Sequence, residues 1–288
     1  MAENQEQVPV PSGTLVIIGG SENKGDEPKE HVPEENFTPL EVLQYFVDTI
    51  HKENPQVEVV TTAGSEPDTA FREYKKLFKK LGVSTVGHIH HDNRREVLAD
   101  QALEERVKSA DALFISGGDQ LKLTSLYGGT TFLTRLKERY INHRFVIGGT
   151  SAGAMALSTP MIYAGSKDVE QTAGEIKVTT GLEFLKDVCI DTHFTHRGRF
   201  VRMAQVVVTN PTCIGMGVEE DTAVVVRNGR EAEVIGTGTV IIIEGFYIAD
   251  SNIFDFSEKQ SISIRDLKVQ ILSRGNQYKI PQCNPLHL

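Results

Sequence analysis

The chain has 288 residues, of which 39% are hydrophobic, so it is long enough to bury the core of one large domain or of two small ones. Its formal net charge of −9 and its sequence pI near 5.5 provide no positive field that would gather nucleic acid or an anionic membrane surface. We therefore expect no nucleic-acid partner and no membrane partner. Any binding of acidic groups must be local.

Residues 1–12 are polar and acidic and lack the basic start and apolar run of a targeting signal. Nowhere does the chain approach the roughly 20 consecutive apolar residues that a membrane span needs. The three cysteines, Cys189, Cys213 and Cys283, follow no metal-binding or redox spacing, and a low odd number suits a reducing compartment. The sequence predicts a flexible tail over residues 1–12, a single domain over 13–288, buried cysteines that act as small hydrophobes, and a cytoplasmic location.

The first half of the chain alternates short apolar runs with amphipathic segments. The apolar runs predict strands over 14–18, 57–61, 83–89, 112–115 and 145–147. The amphipathic segments predict a helix that starts at the capping box Thr38-Pro39-Leu40-Glu41, followed by helices over 71–81, 98–107 and 131–140. Strands that alternate with helices form βαβ units with right-handed crossovers, so we expect an α/β fold with a largely parallel sheet.

The pattern changes near the C-terminus. The pair Asn228-Gly229 lies between the apolar runs 223–226 and 232–235, which predicts an antiparallel hairpin. Segments 240–244 and 262–272 predict further strands or a short terminal helix. Since no linker, repeat or low-complexity tract divides the chain, we expect one domain.

A G-x-S-x-G motif, Gly149-Thr150-Ser151-Ala152-Gly153, comes directly after the predicted strand 145–147. Small residues allow a sharp turn from strand into helix, which would expose the Ser151 hydroxyl at the carboxyl end of the sheet. The backbone N–H of Ala152 could stabilise an oxyanion, and Gly118, after the fourth strand, could supply a second N–H. The alternative is an ordinary glycine-rich turn, but the position after a buried strand favours a nucleophile.

A serine nucleophile needs a base, and the base needs an acid to orient it. His193 follows the apolar run 188–190 and is the candidate base, while Glu220 follows the run 213–218 and is the candidate acid. Its neighbours in sequence, Glu219 and Asp221, could also orient the base, and a solvated acidic turn is the alternative for these two. The chain order of serine, histidine and acid differs from that of the α/β-hydrolases.

Three arginines, Arg197, Arg199 and Arg202, follow the candidate base closely in a chain that is acidic overall. Guanidinium groups grip carboxylates with two hydrogen bonds, so the cluster favours a pocket for an anionic substrate over a merely solvated face.

The remaining motifs predict no metal and no cofactor. His88, His90 and His91 have no acidic partner at metal-binding spacing, and the H-x-x-H of His193 and His196 lacks the glutamate of a metalloprotease helix. Neither glycine-rich phosphate loop is present.

Several of these motifs resemble the cyanophycinase family in order and spacing. They are Gly117-Gly118-Asp119-Gln120, the run Gly-Thr-Ser-Ala-Gly-Ala over 149–154, Asp191-x-His193-Phe194, Arg197-Gly198-Arg199 and Glu220-Asp221-Thr222-Ala223. The resemblance covers about residues 13–243 and implies a flavodoxin-like, class I glutamine-amidotransferase-like three-layer sandwich, a serine exopeptidase and a homodimer.

The resemblance also implies a substrate and its contacts. The substrate would be cyanophycin, a poly-aspartate with arginine on each side-chain carboxyl, cleaved to β-aspartyl-arginine dipeptides. Ser151, His193 and Glu220 would form the triad. The implied pocket residues are Gln120, Asp191, Thr192, Arg197, Arg199 and Arg202.

One departure concerns Thr192, because the family pattern has glutamine there. The substrate preference therefore stays open, and two other functions remain as alternatives. The first is an aspartyl dipeptidase that cleaves α-aspartyl peptides in the same site. The second is a non-catalytic binding module that keeps the elbow as a structural turn.

Overall fold

The computed structural model describes residues 9–26, 37–165, 176–253 and 261–281. Residues 1–8 of the predicted tail, and Cys283, lie outside this part of the chain. The helices of the described part are α1 Glu41–Asp48, α2 Pro67–Lys80, α3 Arg94–Ala99, α4 Leu103–Ser109, α5 Gln120–Tyr127, α6 Thr131–Asn142, α7 Ala152–Met155 and α8 Phe200–Thr209. The strands are β1 Thr14–Ile18, β2 Gln56–Val60, β3 Thr85–Ile89, β4 Ala112–Ile115, β5 Val146–Thr150, β6 Ser158–Thr159, β7 Met161–Ala164, β8 Lys177–Thr179, β9 Leu185–Lys186, β10 Val188–Thr192, β11 Ile214–Val218, β12 Thr222–Arg227, β13 Glu231–Gly236, β14 Val240–Glu244, β15 Asp250–Ser251, β16 Ile264–Arg265, β17 Lys268–Leu272 and β18 Gln277–Lys279.

The large sheet has eight strands in the order β18-β13-β12-β1-β5-β4-β2-β3. Its five strands from β1 to β3 pair in parallel, as the alternation of strands and helices predicts. Strand β12 runs antiparallel to β1 and forms a hairpin with β13. The predicted α/β fold with a largely parallel sheet and an added C-terminal hairpin is confirmed.

A second sheet of six strands has the order β17-β14-β11-β10-β6-β9. Its central strands β10 and β11 are parallel, whereas β14 and β17 add antiparallel neighbours. The sequence predicts most of these strands but not that they leave the large sheet. Apolar runs show which segments are buried strands, and they carry no information about which partner each strand pairs with.

Successive side chains of β1 point to opposite faces of the large sheet and show which layers cover each face. Leu15 and Ile17 join an apolar cluster that also contains Ile190 and Met216 of the second sheet, together with side chains of α4 and α6. Val16 and its alternate neighbours face the opposite way, into a cluster with residues of α1 and α2. Helix α8 packs on the far side of the second sheet. The large sheet is thus covered on both faces, as parallel sheets require.

The predicted capping box before α1 is wrong. The helix begins at Glu41, and the residue before it, Leu40, takes a left-handed conformation with φ of 63° and makes no side-chain cap. Leu40 is buried, and the Glu41 carboxylate pairs with Arg274 rather than folding back on the chain. Packing of Leu40 into the core therefore determines the start of this helix.

The single helix predicted over 98–107 is two helices, α3 and α4. Asp100 breaks the segment because its carboxylate accepts a hydrogen bond from the Ala102 backbone N–H at 3.0 Å and contacts His91 at 3.3 Å. Aspartate competes for backbone amides in this way and so favours helix starts over helix interiors.

Candidate active site

Ser151 occupies the bend between the last residue of β5 and the first residue of α7. Its backbone has φ of 52° and ψ of −118°, a conformation that side-chain-bearing residues rarely adopt, and its N–H donates to the Ile18 carbonyl at 3.1 Å. Gly117 lies beside it, and a β-carbon there would lie 3.2 Å from the Ser151 β-carbon. The strained turn and the small neighbour leave the hydroxyl exposed at the carboxyl end of the sheet.

His193 follows the last residue of β10 and points at Ser151. Its Nε2 lies 3.0 Å from the Ser151 Oγ, and its Nδ1 lies 2.7 Å from the Glu220 Oε1. The imidazole is only 6% exposed, and its backbone N–H donates to the Gly19 carbonyl at 2.9 Å. Since a carboxylate only accepts hydrogen bonds, Glu220 holds the proton on Nδ1 and leaves the Nε2 lone pair toward the serine.

Glu220 and its two acidic neighbours follow β11, and they differ in what they contact. Glu219 accepts from the Thr195 backbone N–H at 2.7 Å, and Asp221 accepts from the Asn23 backbone N–H at 2.7 Å. Both neighbours tie loops together instead of forming a solvated turn. Among these three acids, Glu220 is the one that contacts the imidazole.

The pKa of His193 is lowered from its ordinary value of 6.5. Burial is the largest cause, because it disfavours the charged imidazolium, and the positive charges of Arg197 and Arg199 act in the same direction. The hydrogen bond to Glu220 opposes them. The imidazole is therefore neutral at neutral pH and can accept a proton.

A cavity of about 230 Å³ opens at Ser151. The described residues that line it are Gly118, Gln120, Ser151, Ala152, Met155, Ile162, Tyr163, Ala164, Gly165, Thr192, Arg197, Arg199 and Arg202. Both predicted oxyanion donors, Gly118 and Ala152, are in this lining, as are five of the six predicted substrate residues. The three arginines make the described lining cationic, with no carboxylate in it.

Asp191 is the exception, because it lies beneath the cavity wall and is fully buried. Its carboxylate accepts from Arg202 Nε at 2.6 Å and from Arg199 Nη1 at 2.9 Å, and Arg202 Nη2 makes a further contact. The sequence predicts Asp191 in the pocket, whereas the structure gives it the arginines of this chain as partners. A buried carboxylate needs such compensation, and Asp191 in turn fixes both guanidinium groups.

Gln120 and Thr192 form other parts of the wall. The Gln120 amide donates to the Ile162 carbonyl at 2.8 Å, which orients its own carbonyl oxygen. The Thr192 side chain is fully buried, and its hydroxyl has no hydrogen-bond partner in the described part of the chain. Sequence reasoning missed Met155, Ile162 and Tyr163 in the lining, because apolar residues of a strand or helix carry no chemical signal of a site.

The histidines away from Ser151 serve other contacts. His88 bonds with Thr61 at 2.7 Å, and His91 contacts Tyr127 at 3.1 Å. Over the described ranges, histidine, cysteine and acidic side chains nowhere form a group of three able to hold a metal ion. No helix there has the length and apolar character needed to cross a bilayer.

The model of peptidase family S51 matches residues 15–234, which is most of the chain and includes Ser151, His193 and Glu220. The chain belongs to peptidase family S51. As an S51 member it is a hydrolase, a serine-type peptidase, and the predicted enzyme class is confirmed.

Curated S51-like relatives match nearly the whole chain. A cyanophycinase of Synechococcus elongatus is 29% identical over 268 residues, which cover 93% of this chain and 79% of that protein. A cyanophycinase of Geminocystis herdmanii is 27% identical over 273 residues, with 95% and 96% covered. The resemblance drawn from the motifs is confirmed by these matches.

A solved structure shares the fold. The crystal structure of a peptidase from an acI-B1 Actinobacterium superposes with a TM-score of 0.64 at 22% sequence identity, and the match covers 94% of this chain and 98% of that one.

Proposed function

We propose that this S51 peptidase is a cyanophycinase that releases β-aspartyl-arginine dipeptides through an acyl-enzyme. The observation that carries the proposal is the hydrogen-bonded series Ser151, His193, Glu220, at 3.0 and 2.7 Å, which opens into an arginine-lined cavity. In this proposal Ser151 is the nucleophile, His193 the general base and Glu220 the residue that orients the base.

In the acylation step, His193 Nε2 takes the proton from Ser151 while Oγ forms a bond to the scissile carbonyl carbon. The backbone N–H groups of Gly118 and Ala152 stabilise the negative charge on the carbonyl oxygen. The tetrahedral intermediate collapses with cleavage of the C–N bond, and His193 donates the proton to the leaving amine. The product is an ester on Ser151.

Deacylation repeats the same proton movements with water. His193 takes a proton from the water as the oxygen attacks the ester carbon. Cleavage of the C–O bond then releases the acyl fragment as a free acid, and the proton returns to the Ser151 oxygen. One imidazole serves both steps, because Glu220 keeps it in a single tautomer.

The charge of the cavity lining favours a substrate that carries an anionic group near the scissile bond. Arg197, Arg199 and Arg202 carry three positive charges, and Asp191 offsets one of them. Arg202 is engaged with Asp191, so Arg197 and the rest of the Arg199 guanidinium are the groups suited to bind a substrate carboxylate. A poly-aspartate backbone offers such carboxylates, and relatives named cyanophycinase cover most of the chain.

The test is dipeptide release from cyanophycin by wild type and by Ser151→Ala. Loss of the nucleophile removes the covalent route, so we expect kcat to fall by about 10⁴-fold or more. Chromatography of the soluble products with mass identification of β-aspartyl-arginine measures it.

A substrate panel separates the proposal from its alternative. Cyanophycin, its lysine-containing analogue and α-aspartyl dipeptides are offered to the same preparation, and preference for the branched polymer is expected. Faster cleavage of α-aspartyl dipeptides would replace this substrate with that of an aspartyl dipeptidase. Equal release by wild type and Ser151→Ala would end the proposal.

A further inference from the structure

The end of β1 and the two glycines after it bond to the backbone of Ser151, of His193 and of the residue next to Glu220. The carbonyl of Ile18 accepts from the Ser151 N–H at 3.1 Å, and that of Gly19 accepts from the His193 N–H at 2.9 Å. The carbonyl of Gly20 accepts from the N–H of Asp221, next to Glu220, at 3.0 Å. Residues 18–20 thus fix the backbones that carry the triad.

Glu22 extends this segment into the protein interior. It is only 4% exposed, although it is a carboxylate with no arginine or lysine partner in the described contacts. Its Oε2 accepts from the Thr150 hydroxyl at 2.6 Å, and its Oε1 accepts from the Tyr74 hydroxyl at 2.5 Å. Burying a carboxylate is costly, and two hydroxyl donors compensate it.

One of these donors is adjacent to the nucleophile. Thr150 is the last residue of β5 and is itself buried, with 3% exposure. The next residue, Ser151, adopts the rare backbone conformation described above, which persists only where neighbouring contacts hold it. The hydrogen bond from Thr150 to Glu22 fixes the residue from which that strained turn departs.

We propose that Glu22 is a positioning residue for the nucleophile, acting through the Thr150 hydroxyl to hold Ser151 Oγ within reach of His193. The inference rests on the proposed function of Ser151 as nucleophile. Glu22 is not in the cavity lining, and its described side-chain bonds go to Thr150 and Tyr74 and not to Ser151 or His193. Its effect should appear in kcat and not in KM, because the cavity lining is unchanged.

The two hydroxyl partners offer a matched pair of variants. Thr150→Val and Tyr74→Phe each remove one hydroxyl from the same buried carboxylate, with little change in shape. Both should therefore lower the unfolding midpoint by similar amounts. Only Thr150→Val cuts the link to Ser151, since Tyr74 lies on α2 and touches no triad residue in the described contacts.

We expect Thr150→Val to lower kcat by about 10-fold to 100-fold with KM within about twofold, the size of loss that a displacement of up to 1 Å produces. Tyr74→Phe should stay within about threefold of wild type. Thr150→Ser, which keeps the hydroxyl, should restore most of the rate. Equal losses in the valine and phenylalanine variants, or no loss in either, would overturn the proposal.

A second readout does not depend on the substrate. Crystal structures of wild type and Thr150→Val measure the distance from Ser151 Oγ to His193 Nε2, which should lengthen from 3.0 Å in the variant. An unchanged distance would overturn the positioning role even if the enzyme cleaved no cyanophycin. A wild-type enzyme that is inactive on the substrate panel would instead count against the proposed function alone.

Discussion

Neighbouring groups shift the pKa of the candidate base, His193, in opposite directions. Burial and two arginines lower the pKa of His193 below 6.5, and Glu220 opposes this shift. Because the base must be neutral to accept the Ser151 proton, activity falls only when the pH drops below this lowered pKa.

We therefore predict that kcat/KM decreases as the pH falls, with the midpoint of this acid limb below pH 6.5. Removing one cause of the lowered pKa should move the acid limb, so Arg197→Gln should shift it to higher pH. The measurement is kcat/KM against pH for both proteins. An acid limb well above 6.5 in the wild type would contradict the burial argument.

Asp191 is the residue on which two arginines depend. Replacing it with asparagine leaves two buried or half-buried guanidinium groups without their counter-charge, and breaking a buried ion pair in this way costs about 3–5 kcal/mol. We predict a marked loss of unfolding free energy for Asp191→Asn, measured by urea denaturation.

The matched variant is Arg199→Gln, which leaves the contacts between Asp191 and Arg202 intact. It should lose less stability than Asp191→Asn. If Arg199 binds a substrate carboxylate as proposed, the KM of Arg199→Gln should also be higher than that of the wild type. Similar unfolding free energies for the two variants would show that Asp191 is not the shared support.

Sequence reasoning selected Ser151, His193 and Glu220 as candidates because each follows a recognisable apolar strand, and the structure brings their side chains into contact. The resemblance implied that Asp191 lines the pocket, whereas β10 continues through Asp191 to Thr192 and Asp191 is fully buried. The arginines that make its burial tolerable lie 8 and 11 residues further along the chain. A local pattern does not show that pairing.

At the scale of elements, the turn after β1 leaves no room for a side chain at Gly20. Gly20 has φ of +94°, and a β-carbon on it would overlap the Cε1 and Nε2 atoms of His193. Alanine there must push the imidazole away from Ser151.

We predict that Gly20→Ala lowers kcat by about 100-fold or more, since a displacement of about 1 Å at a reacting group has that effect. The control is Gly82→Ala, because Gly82 has a similar φ of +91° with no atom within 4 Å of a β-carbon. Both variants carry the backbone strain of alanine at positive φ. Steady-state kinetics should show a lower kcat only in Gly20→Ala. Comparable decreases in both variants would show that backbone strain is the cause.

The elements themselves could be predicted to different degrees. Strand β4 has the predicted bounds, since four consecutive apolar residues lie between polar ones. Strand β5 runs three residues further than predicted, because its end is glycine and threonine. Helix α8 is buried along most of its length and therefore lacks the polar face that makes a helix visible in a sequence.

At the scale of the whole molecule, the alternation of strands and helices was sufficient to predict the parallel part of the large sheet. The second sheet could not be predicted, because β10 and β11 look like further strands of the same series. In the second sheet β11 pairs with β14, which pairs with β17 from the end of the chain, and β10 pairs with the short strand β6, and the apolar runs announce none of these partners.

The division of the strands between two sheets has a practical consequence. The candidate nucleophile Ser151 follows a strand of the large sheet, and the candidate base His193 follows a strand of the second sheet. Glu220 lies in the connection from β11 of the second sheet to β12 of the large sheet. The proposed chemistry thus requires the two sheets to be docked through the apolar cluster that they share. Circular dichroism reports strand and helix content and not this docking, so active-site titration is the appropriate assay of a preparation's competent fraction.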